Sequence, residues 1–438
     1  MGKKMAKSLE TWSKLDNSAK IYPMLVSKKN QNIFRLSVTL KEEVDAEILH
    51  NALTITLGRF PGFQVRLMKG AFWYYFDANS AKVKVYPLDP MSFKKITDKN
   101  CNGYCFRVSY FQKQIICDFF HAICDATGAA EFVKSLAYTY LNLTGKDVYS
   151  DQKILTVGSP VSKEELEDSF LANYKKVSLS KLKVKDLQGK KAYHIEGILF
   201  NNAGNGIIHM FCDVKQVLDV CHARNCTMTE YLGALFISSI FETQIKGKVE
   251  NANDIQLFVP INLRKIFPSK TLRNFSLFSR VGANPYEDTS IERLIEIMHE
   301  HLVRDTDKAL LMDKISTTVW AEKFFLIRFI PLFMKRIFFN FSNTFFGKSK
   351  KTATLSNFGI FDIPDSMKEH IENVSFAISS NAVTPLSLSI ISCNDKLSIT
   401  FTRRITDTNI EKQFAKYLAD DGIDLTVTSN FWEVDNAL

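Results

Sequence analysis

Short segments in which every second residue is apolar alternate along this chain with segments in which apolar residues recur every three or four positions. Ile33 to Leu40 shows the first pattern, which predicts a half-buried strand. Val44 to Leu57 shows the second, and Gly58 and Pro61 follow it, which predicts a helix that ends there. Further strands are predicted at 63–67, 71–76 and 104–111. The first part of the chain is therefore predicted to be mixed α/β, with its strands in one sheet.

The second half of the chain again mixes strands and helices, without a recognisable sequence repeat. Asn205-Gly206 lies between the apolar segments 196–200 and 207–211, which predicts a β-hairpin with a two-residue turn. Thr227 and Glu230 form a capping-box pattern, which predicts the start of a helix. The other predicted elements are helices from Asp213 and Thr289, strands at 256–261, 374–378, 386–392 and 397–402, and a closing helix at 409–418.

One stretch, Gln114 to Gly128, combines a strand, a turn and a helix around a single histidine. Ile115 to Phe120 is an apolar run, and helical spacing begins near Ala126. His121 and Asp125 are therefore predicted to lie on a tight strand-to-helix turn, a setting that can fix a reactive side chain. An imidazole there can act as a general base near neutral pH. The alternative is a histidine whose hydrogen bonds serve only the fold.

The spacing alone is weak, because H-x-x-x-D occurs three times in the sequence. The other two pairs are His209 with Asp213 and His301 with Asp305. The first of these runs from a predicted strand to a predicted helix cap, and the second lies inside a long helical pattern, where a spacing of four places both groups on one face. Both are predicted to be structural or solvated.

The chain has 438 residues and a net charge of +9. This length predicts two lobes. The basic residues are dispersed, with denser runs at 181–191 and 348–351. They predict a solvated surface or, as the functional alternative, attraction of a phosphorylated cofactor. No motif supports nucleic-acid binding.

Eight scattered cysteines do not form two pairs at zinc-ligand spacing, so no metal site is predicted. Several of them fall in apolar surroundings and are predicted to be small core residues. A reduced cytoplasmic protein is the simplest interpretation of this pattern.

The segment 324–339 is the most apolar window of the chain, interrupted by Arg328, Pro331, Lys335 and Arg336. It is too short and too charged to span a bilayer. We favour a core or channel-lining helix that is kinked at Pro331. The alternative is an interfacial helix that makes peripheral contact with a membrane.

Four segments, in this order along the chain, resemble the chloramphenicol acetyltransferase-like superfamily of thioester-dependent acyltransferases. They are 44–53 with Arg59-Phe60-Pro61-Gly62-Phe63, His121-x-x-x-Asp125, Val259–Arg264 with Arg273-Asn274-Phe275, and Leu355-Ser356-Asn357-Phe358-Gly359. Each segment is weak alone, but the ordered set spans most of the chain. Alcohol-acetyltransferase-like and lipid-acylating members are the most similar.

This resemblance implies an α/β fold of two lobes, each a two-layer α+β sandwich, that form a pseudo-dimer around a central tunnel. We expect the N-terminal lobe at 1–160, a connector at 161–195 and the C-terminal lobe at 196–438. His121 is expected near the middle of the tunnel.

The resemblance also implies roles at the matched positions. His121 would take the proton from an acceptor as it attacks a thioester carbonyl. Asp125 would point away from the substrate and be gripped bidentately by Arg264. Ser356 or Asn357 would hydrogen-bond the oxyanion near the acyl-donor channel.

One position departs from the family pattern, in which glycine usually follows the aspartate. Ala126 stands there, and alanine lacks the backbone freedom of glycine. Gly128 is expected to compensate, unless the helix simply starts one residue earlier. Either arrangement leaves the base in place.

The implied activity is acyl transfer from acyl-CoA, as co-substrate and without a permanently bound cofactor, to an alcohol, amine or lipid acceptor. One alternative is condensation-type amide or ester formation with an acyl donor carried by a separate carrier protein. A second alternative is a catalytically silent docking module, for which Ala126 is the sequence argument.

Overall fold

The structure is a computed structural model that describes residues 12–27, 31–89, 93–96, 98–175, 191–201, 204–324, 329–342 and 350–430. Its strands are β1 (Trp12–Lys14), β2 (Ile33–Leu40), β3 (Val65–Lys69), β4 (Tyr74–Ala78), β5 (Val85–Pro87), β6 (Phe106–Phe111), β7 (Gln114–Phe120), β8 (Gly206–Asp213), β9 (Ile255–Asn262), β10 (Ser276–Ala283), β11 (Ala353–Ile360), β12 (Ile371–Ile378), β13 (Leu386–Cys393), β14 (Lys396–Arg403) and β15 (Thr426–Ser429). Its α-helices are α1 (Ile21–Leu25), α2 (Ala46–Leu57), α3 (Asp98–Cys101), α4 (Ala126–Leu143), α5 (Ser169–Ala172), α6 (Val214–Ala223), α7 (Met228–Ile240), α8 (Ile291–Asp305), α9 (Lys308–Lys323), α10 (Leu332–Ser342), α11 (Asp365–Lys368) and α12 (Asn409–Asp420).

A five-stranded sheet in the order β12-β2-β7-β6-β5 forms the core of the N-terminal lobe. Helices α2 and α4 pack against each other and against this sheet, as the spacing of their apolar residues predicts. The strand β7 lies in the middle of the sheet, and six of its seven residues are buried. This explains why its sequence is mostly apolar rather than alternating. Its buried Asp118 is paired with Arg35 and Arg107.

The strand β12 belongs to this first sheet although it comes from the C-terminal part of the chain. It pairs antiparallel with β2, with Val374 opposite Val38 and Phe376 opposite Leu36. Alternation along a strand reports its two faces but not the sheet to which it belongs, so the predicted division at 160 and 196 could not include this exchange. The two lobes are therefore joined by strand pairing.

The C-terminal lobe contains a seven-stranded sheet in the order β10-β9-β11-β13-β14-β8-β15. The strand β11 runs parallel to both of its neighbours. Helices α7, α8 and α12 bury their apolar residues against the sheet in a second core. Thr227 caps α7 with the reciprocal capping box predicted from the sequence. A smaller sheet, β1-β4-β3, lies beside the N-terminal lobe.

The hairpin predicted around Asn205-Gly206 is wrong. Residues 196–200 do not form a strand, and β8 pairs instead with β14 and β15. Asn205 is buried and its side chain accepts a hydrogen bond of 2.6 Å from the backbone N–H of Ser380. A turn signal read from neighbouring residues cannot anticipate a partner so far along the chain.

The apolar window at 324–339 has one exposed side where it is described, although Leu332 and Lys335 are buried. Pro331 precedes α10 instead of kinking it, as expected for a residue that suits a helix start. Phe329 and Ile337 are 65% and 67% exposed, and Phe333 and Met334 are also exposed. The prediction of a core helix is therefore wrong for this part. Within the described residues, none of the helices combines the length and apolar character needed to cross a bilayer.

The described part of the predicted connector, 161–195, contains a buried ion pair. Residues 176–190 and most of the basic run 181–191 lie outside the described residues. Before them, Glu165 accepts two hydrogen bonds from Arg59, at 2.8 and 2.9 Å. This contact ties the start of the connector to the end of α2.

Candidate active site

The turn between β7 and α4 places His121 as the sequence predicts. The strand ends at Phe120, and the backbone N–H of His121 donates to the carbonyl of Asn32 at 2.9 Å. The helix begins at Ala126, directly after its N-cap Asp125, whose side chain accepts from the N–H of Gly128 at 3.2 Å. This cap fixes the turn on its helical side.

Asp125 holds the turn against the C-terminal lobe. Its Oδ2 accepts from Arg264 Nη1 at 2.7 Å and from the backbone N–H of Phe275 at 2.8 Å. The expected ion pair is present, but the expected bidentate grip is wrong. The other guanidinium donors bind backbone carbonyls at 271 and 273. Because Asp125 also caps α4, one carboxylate connects two segments of backbone and the side chain of Arg264.

Gly128 is required by close approach of backbone to backbone. A Cβ atom at this position would lie 1.9 Å from the carbonyl oxygen of Leu272, which is far inside contact distance. Ala126, in contrast, is the first helical residue of α4, where alanine is well tolerated. The helix can therefore begin directly after Asp125 without a glycine at position 126.

The imidazole of His121 is held by a side-chain amide that is itself held by a carboxylate. His121 Nδ1 lies 2.9 Å from Asn274 Oδ1. Asn274 is fully buried, and its Nδ2 donates to Asp16 Oδ2 at 3.3 Å. Because the amide nitrogen faces a carboxylate, the amide oxygen must face the ring, so Nδ1 carries the proton. The lone pair of the neutral ring is then on Nε2.

Burial along this chain of hydrogen bonds favours the neutral forms of the imidazole of His121 and the carboxyl group of Asp16. Burial lowers the pKa of His121, although hydrogen bonds and the nearby Asp125 oppose the shift. Burial also raises the pKa of Asp16 to about 6, and the carboxylate of Asp168 adds to this. At neutral pH the ring can therefore accept a proton, and Asp16 carries a buried negative charge that would stabilise the resulting cation.

Aromatic rings enclose the imidazole. Tyr22 on α1 stacks on it with a centroid distance of 4.2 Å and an interplanar angle of 15°. Phe34 on β2 meets it edge-on at 5.1 Å. These contacts restrict the ring to one orientation, and an aromatic face also favours a cation placed over it.

The ring of His121 lines a cavity between the two lobes, with a volume of about 510 Å³. The N-terminal half contributes Tyr22 and Trp73 to its wall, and the C-terminal half contributes Phe258 and Phe278. A second cavity of about 770 Å³ shares Lys20, Trp73 and Glu322 with the first. The histidine therefore faces a space that a substrate can occupy, as the expected tunnel requires.

Ser356 and Asn357, the residues expected near the donor channel, lie on β11 but are not in the wall of this cavity. Asn357 Nδ2 donates to Thr229 on α7 at 3.0 Å, and its Oδ1 accepts from Gly359 N–H at 2.9 Å. Thr354, two residues earlier on the strand, does line the cavity. The oxyanion role of Ser356 or Asn357 stays a prediction.

Asp16 and Tyr22 were not anticipated from the sequence, and Asn274 was noted only within a matched motif. Asp16 precedes Asn17 and Ser18, a polar cluster typical of a turn, and its side chain does accept from Ala19 N–H at 2.7 Å. Its partner Asn274 is 258 residues away. In the described part of the chain, no cluster of three or more His, Cys, Asp or Glu side chains could hold a metal ion.

Comparisons with known proteins agree with this architecture. The alcohol acetyltransferase family model matches residues 110–419, which include the turn at His121, Arg264 and Asn274. No curated protein sequence matches the chain.

Several solved structures share the fold. TRI101 of F. sporotrichioides, solved with coenzyme A and T-2, has a TM-score of 0.63 and 8% identity over 96% of this chain and 100% of that one. The starter condensation domain of rhizomide synthetase RzmA, solved with C8-CoA, has a TM-score of 0.57 and 11% identity over 95% and 98%. The wax ester synthase/diacylglycerol acyltransferase of Marinobacter aquaeolei VT8 has a TM-score of 0.54 and 10% identity over 94% and 100%.

Proposed function

The chain belongs to the alcohol acetyltransferase family, and from this premise we propose that it moves an acyl group from acyl-CoA to the hydroxyl of an alcohol, with His121 as the general base. The observation that carries the proposal is the chain of contacts from His121 through Asn274 to Asp16, beside an inter-lobe cavity. An amine would react in the same way, and a CoA-bound protein of this fold supports the choice of donor.

The proposed reaction uses the two nitrogens of the ring differently. As the acceptor oxygen attacks the thioester carbonyl, Nε2 takes the hydroxyl proton and a tetrahedral oxyanion forms. Collapse of this intermediate expels the CoA thiolate, which takes the proton back from Nε2. Asn274 keeps the ring in the required tautomer throughout, and the charge of Asp16 stabilises the transient imidazolium.

Asp125 and Arg264 would support this chemistry without taking part in it. Neither is in the wall of the cavity, and both are bound to the backbone around the turn. We keep Ser356 and Asn357 as the candidates for the oxyanion contact. Asn357 would have to exchange its bond to Thr229 for one to substrate, so Ser356 is the simpler candidate.

A membrane-associated acceptor is supported by the surface around α10. Phe329, Phe333, Met334 and Ile337 are exposed together, and such a group of apolar side chains suits a lipid interface. The helix α10 packs against α1, which carries Tyr22 over the catalytic ring. We propose that this surface lets the enzyme collect an apolar acceptor or donor at a membrane.

Two experiments test these proposals. Purified protein incubated with acetyl-CoA or a longer acyl-CoA and a panel of alcohols and amines should release free CoA in proportion to ester or amide formed. Release only from carrier-bound thioesters would favour condensation-type chemistry, and no release from either donor would favour a silent docking module.

Co-sedimentation with liposomes should be lost when Phe333 and Ile337 are changed to serine, whereas exchange of the exposed Val427 should have no effect.

A further inference from the structure

The cavity at His121 contains a lysine that has no counter-charge among the residues that the structure describes. Lys20, Glu322 and Lys351 line this cavity. Lys20 and Glu322 form an ion pair of 2.7 Å with each other. Among the described residues, no carboxylate lies within ion-pair distance of Lys351 Nζ, so the fixed charges of the cavity wall leave one positive charge over.

The aromatic ring of Phe258 lies beside Lys351, and a second cation, Arg280, lies beside the same ring. Its Nζ lies 5.4 Å from the ring centroid of Phe258, and the guanidinium carbon of Arg280 lies 5.1 Å from the same centroid. Phe258 stacks on Phe278 at 4.7 Å. The buried Nε of Arg280 has no hydrogen-bond partner among the described residues. Two cations thus share one aromatic platform at the wall of the reactive cavity.

Burying the ammonium group of Lys351 without a counter-charge costs free energy unless an anion binds to it. A desolvated ammonium is stabilised only partly by an aromatic face, and burial lowers the pKa of Lys351 to about 8. The lysine remains mostly protonated at neutral pH. A bound anion would supply the counter-charge that Lys351 lacks among the described residues.

We propose that Lys351 forms an anion-binding subsite in the cavity of His121 and binds a carboxylate or phosphate group of one of the two substrates. This inference rests on the proposed acyl transfer, because it assigns part of the substrate to a position in the same cavity. The anion has two possible sources, which are a phosphate of CoA and a carboxylate on the acceptor.

Binding measurements distinguish these sources without requiring turnover. Affinities are measured by calorimetry for CoA and dephospho-CoA, and for hydroxyhexanoate and its methyl ester. We expect the anionic member to bind better in at least one pair. Lys351→Met should weaken that member about tenfold or more and leave the neutral member within about twofold, whereas Lys351→Arg should retain most of the affinity.

Controls separate this result from a loss of folding or of activity. Lys215→Met changes a lysine whose side chain is 80% exposed on α6 and should not alter any of the four affinities. Thermal unfolding reports whether Lys351→Met is folded. If it is not folded, the affinities of the wild-type protein for the anionic and the neutral member of each pair still test whether the cavity binds an anion. Equal affinity within both pairs, or unchanged anion affinity in folded Lys351→Met, would overturn the subsite. Absence of turnover with intact anion binding would instead overturn only the proposed reaction.

Discussion

Two regions of the molecule carry the same H-x-x-x-D spacing but place it differently. His121 lies on a turn, faces a cavity and is bonded to a side-chain amide. His301 lies inside α8, and its Nδ1 is 2.8 Å from the carbonyl oxygen of Arg280. Both aspartates are buried, and Asp305 Oδ2 accepts from Ser279 at 2.7 Å. What separates the two regions is the surroundings of the histidine.

The third pair lacks the cavity too. His209 lies within β8 with its Nδ1 2.9 Å from Thr400 Oγ1, and burial lowers its pKa to about 4. Asp213 caps α6. Four-residue spacing is therefore not specific by itself, whereas a strand-to-helix turn that opens on a cavity gives an imidazole access to substrate.

The largest difference is expected in the free energy of unfolding that is lost when the arginine beside each aspartate is replaced. Arg264 is buried against Asp125, with 10% of its side chain exposed, whereas Arg304 beside Asp305 is 57% exposed. Arg264→Leu should lower the free energy of unfolding by about 3–5 kcal/mol, because it leaves a buried carboxylate unpaired. Arg304→Leu should cost at most about 1 kcal/mol. Urea unfolding measures both, and equal costs would contradict the supporting role of Arg264.

The next difference is in the direction of the pKa shift, which is opposite for Asp16 and Asp305. The pKa of Asp16 is raised to about 6 from 3.8, so folding takes up a proton and stability falls as pH rises through this range. The pKa of Asp305 is lowered: burial opposes the shift, but hydrogen bonds from Arg304 and Ser279 outweigh it. Its contribution is therefore present above the unfolded pKa and is lost on acidification.

Substitution by asparagine should therefore change the pH dependence of stability in opposite directions. Between pH 4 and pH 7, the free energy of unfolding of Asp16→Asn relative to the wild type should rise by up to about 3 kcal/mol, while kcat falls several-fold. The comparison is made across pH because both oxygens of Asp16 accept hydrogen bonds, which the amide nitrogen of asparagine cannot do at either pH. Asp305→Asn should lower the free energy of unfolding, and by less below pH 4. Urea unfolding at pH 4 and pH 7 tests this, and a pH-independent effect of Asp16→Asn would show that its charge is not the cause.

A smaller effect is expected from the side chains that orient each ring. Asn274→Ala frees the tautomer of His121 and should reduce kcat about 10- to 100-fold, part of the contribution of a general base, and move the acid limb of its pH profile. Thr400→Val removes the matching partner of His209 and should change kcat less than twofold. Steady-state measurement of kcat across pH tests this prediction. A pH profile of Asn274→Ala whose acid limb coincides with that of the wild type would argue against control of the His121 tautomer by Asn274.

The smallest effect concerns the stacked aromatic rings. Tyr22→Leu should reduce kcat several-fold because the imidazolium loses its aromatic face, and Tyr22→Phe should restore most of it. Phe211, which stacks on His209 at 5.8 Å, supplies the control, since Phe211→Leu should leave kcat unchanged. A loss in Tyr22→Phe as large as in Tyr22→Leu would assign the effect to the hydroxyl instead of the ring.

Local patterns predicted the turn but not its partners. The apolar run of β7 and the helical spacing after Asp125 fix the strand, the turn and α4 within fifteen residues, and the predicted bounds agree with the structure. Asn274 lies 153 residues from His121, and Asp16 lies further still from Asn274. No periodicity connects positions so far apart, so the sequence shows the base and not what orients it.

Sheet membership was hidden for the same reason. The predicted strand at 374–378 is present as part of β12, but its partner is β2 of the other lobe. The hairpin predicted at Asn205-Gly206 is wrong for a related reason. The sequence shows a local turn pattern there, but Asn205 instead makes a long-range hydrogen bond with Ser380. The ordered motifs Val259–Arg264 and Arg273-Asn274-Phe275, recognised by resemblance, supplied the long-range information that periodicity lacks.

The most direct test compares His121 with His301 in one assay. His121→Ala and His301→Ala are measured for the initial rate of CoA release with the best acyl-CoA and alcohol, after thermal unfolding has shown both to be folded. We predict that His121→Ala loses about 10²–10⁴-fold in kcat and that His301→Ala stays within about twofold of the wild type. A folded His121→Ala protein that turns over at the wild-type rate would contradict the account.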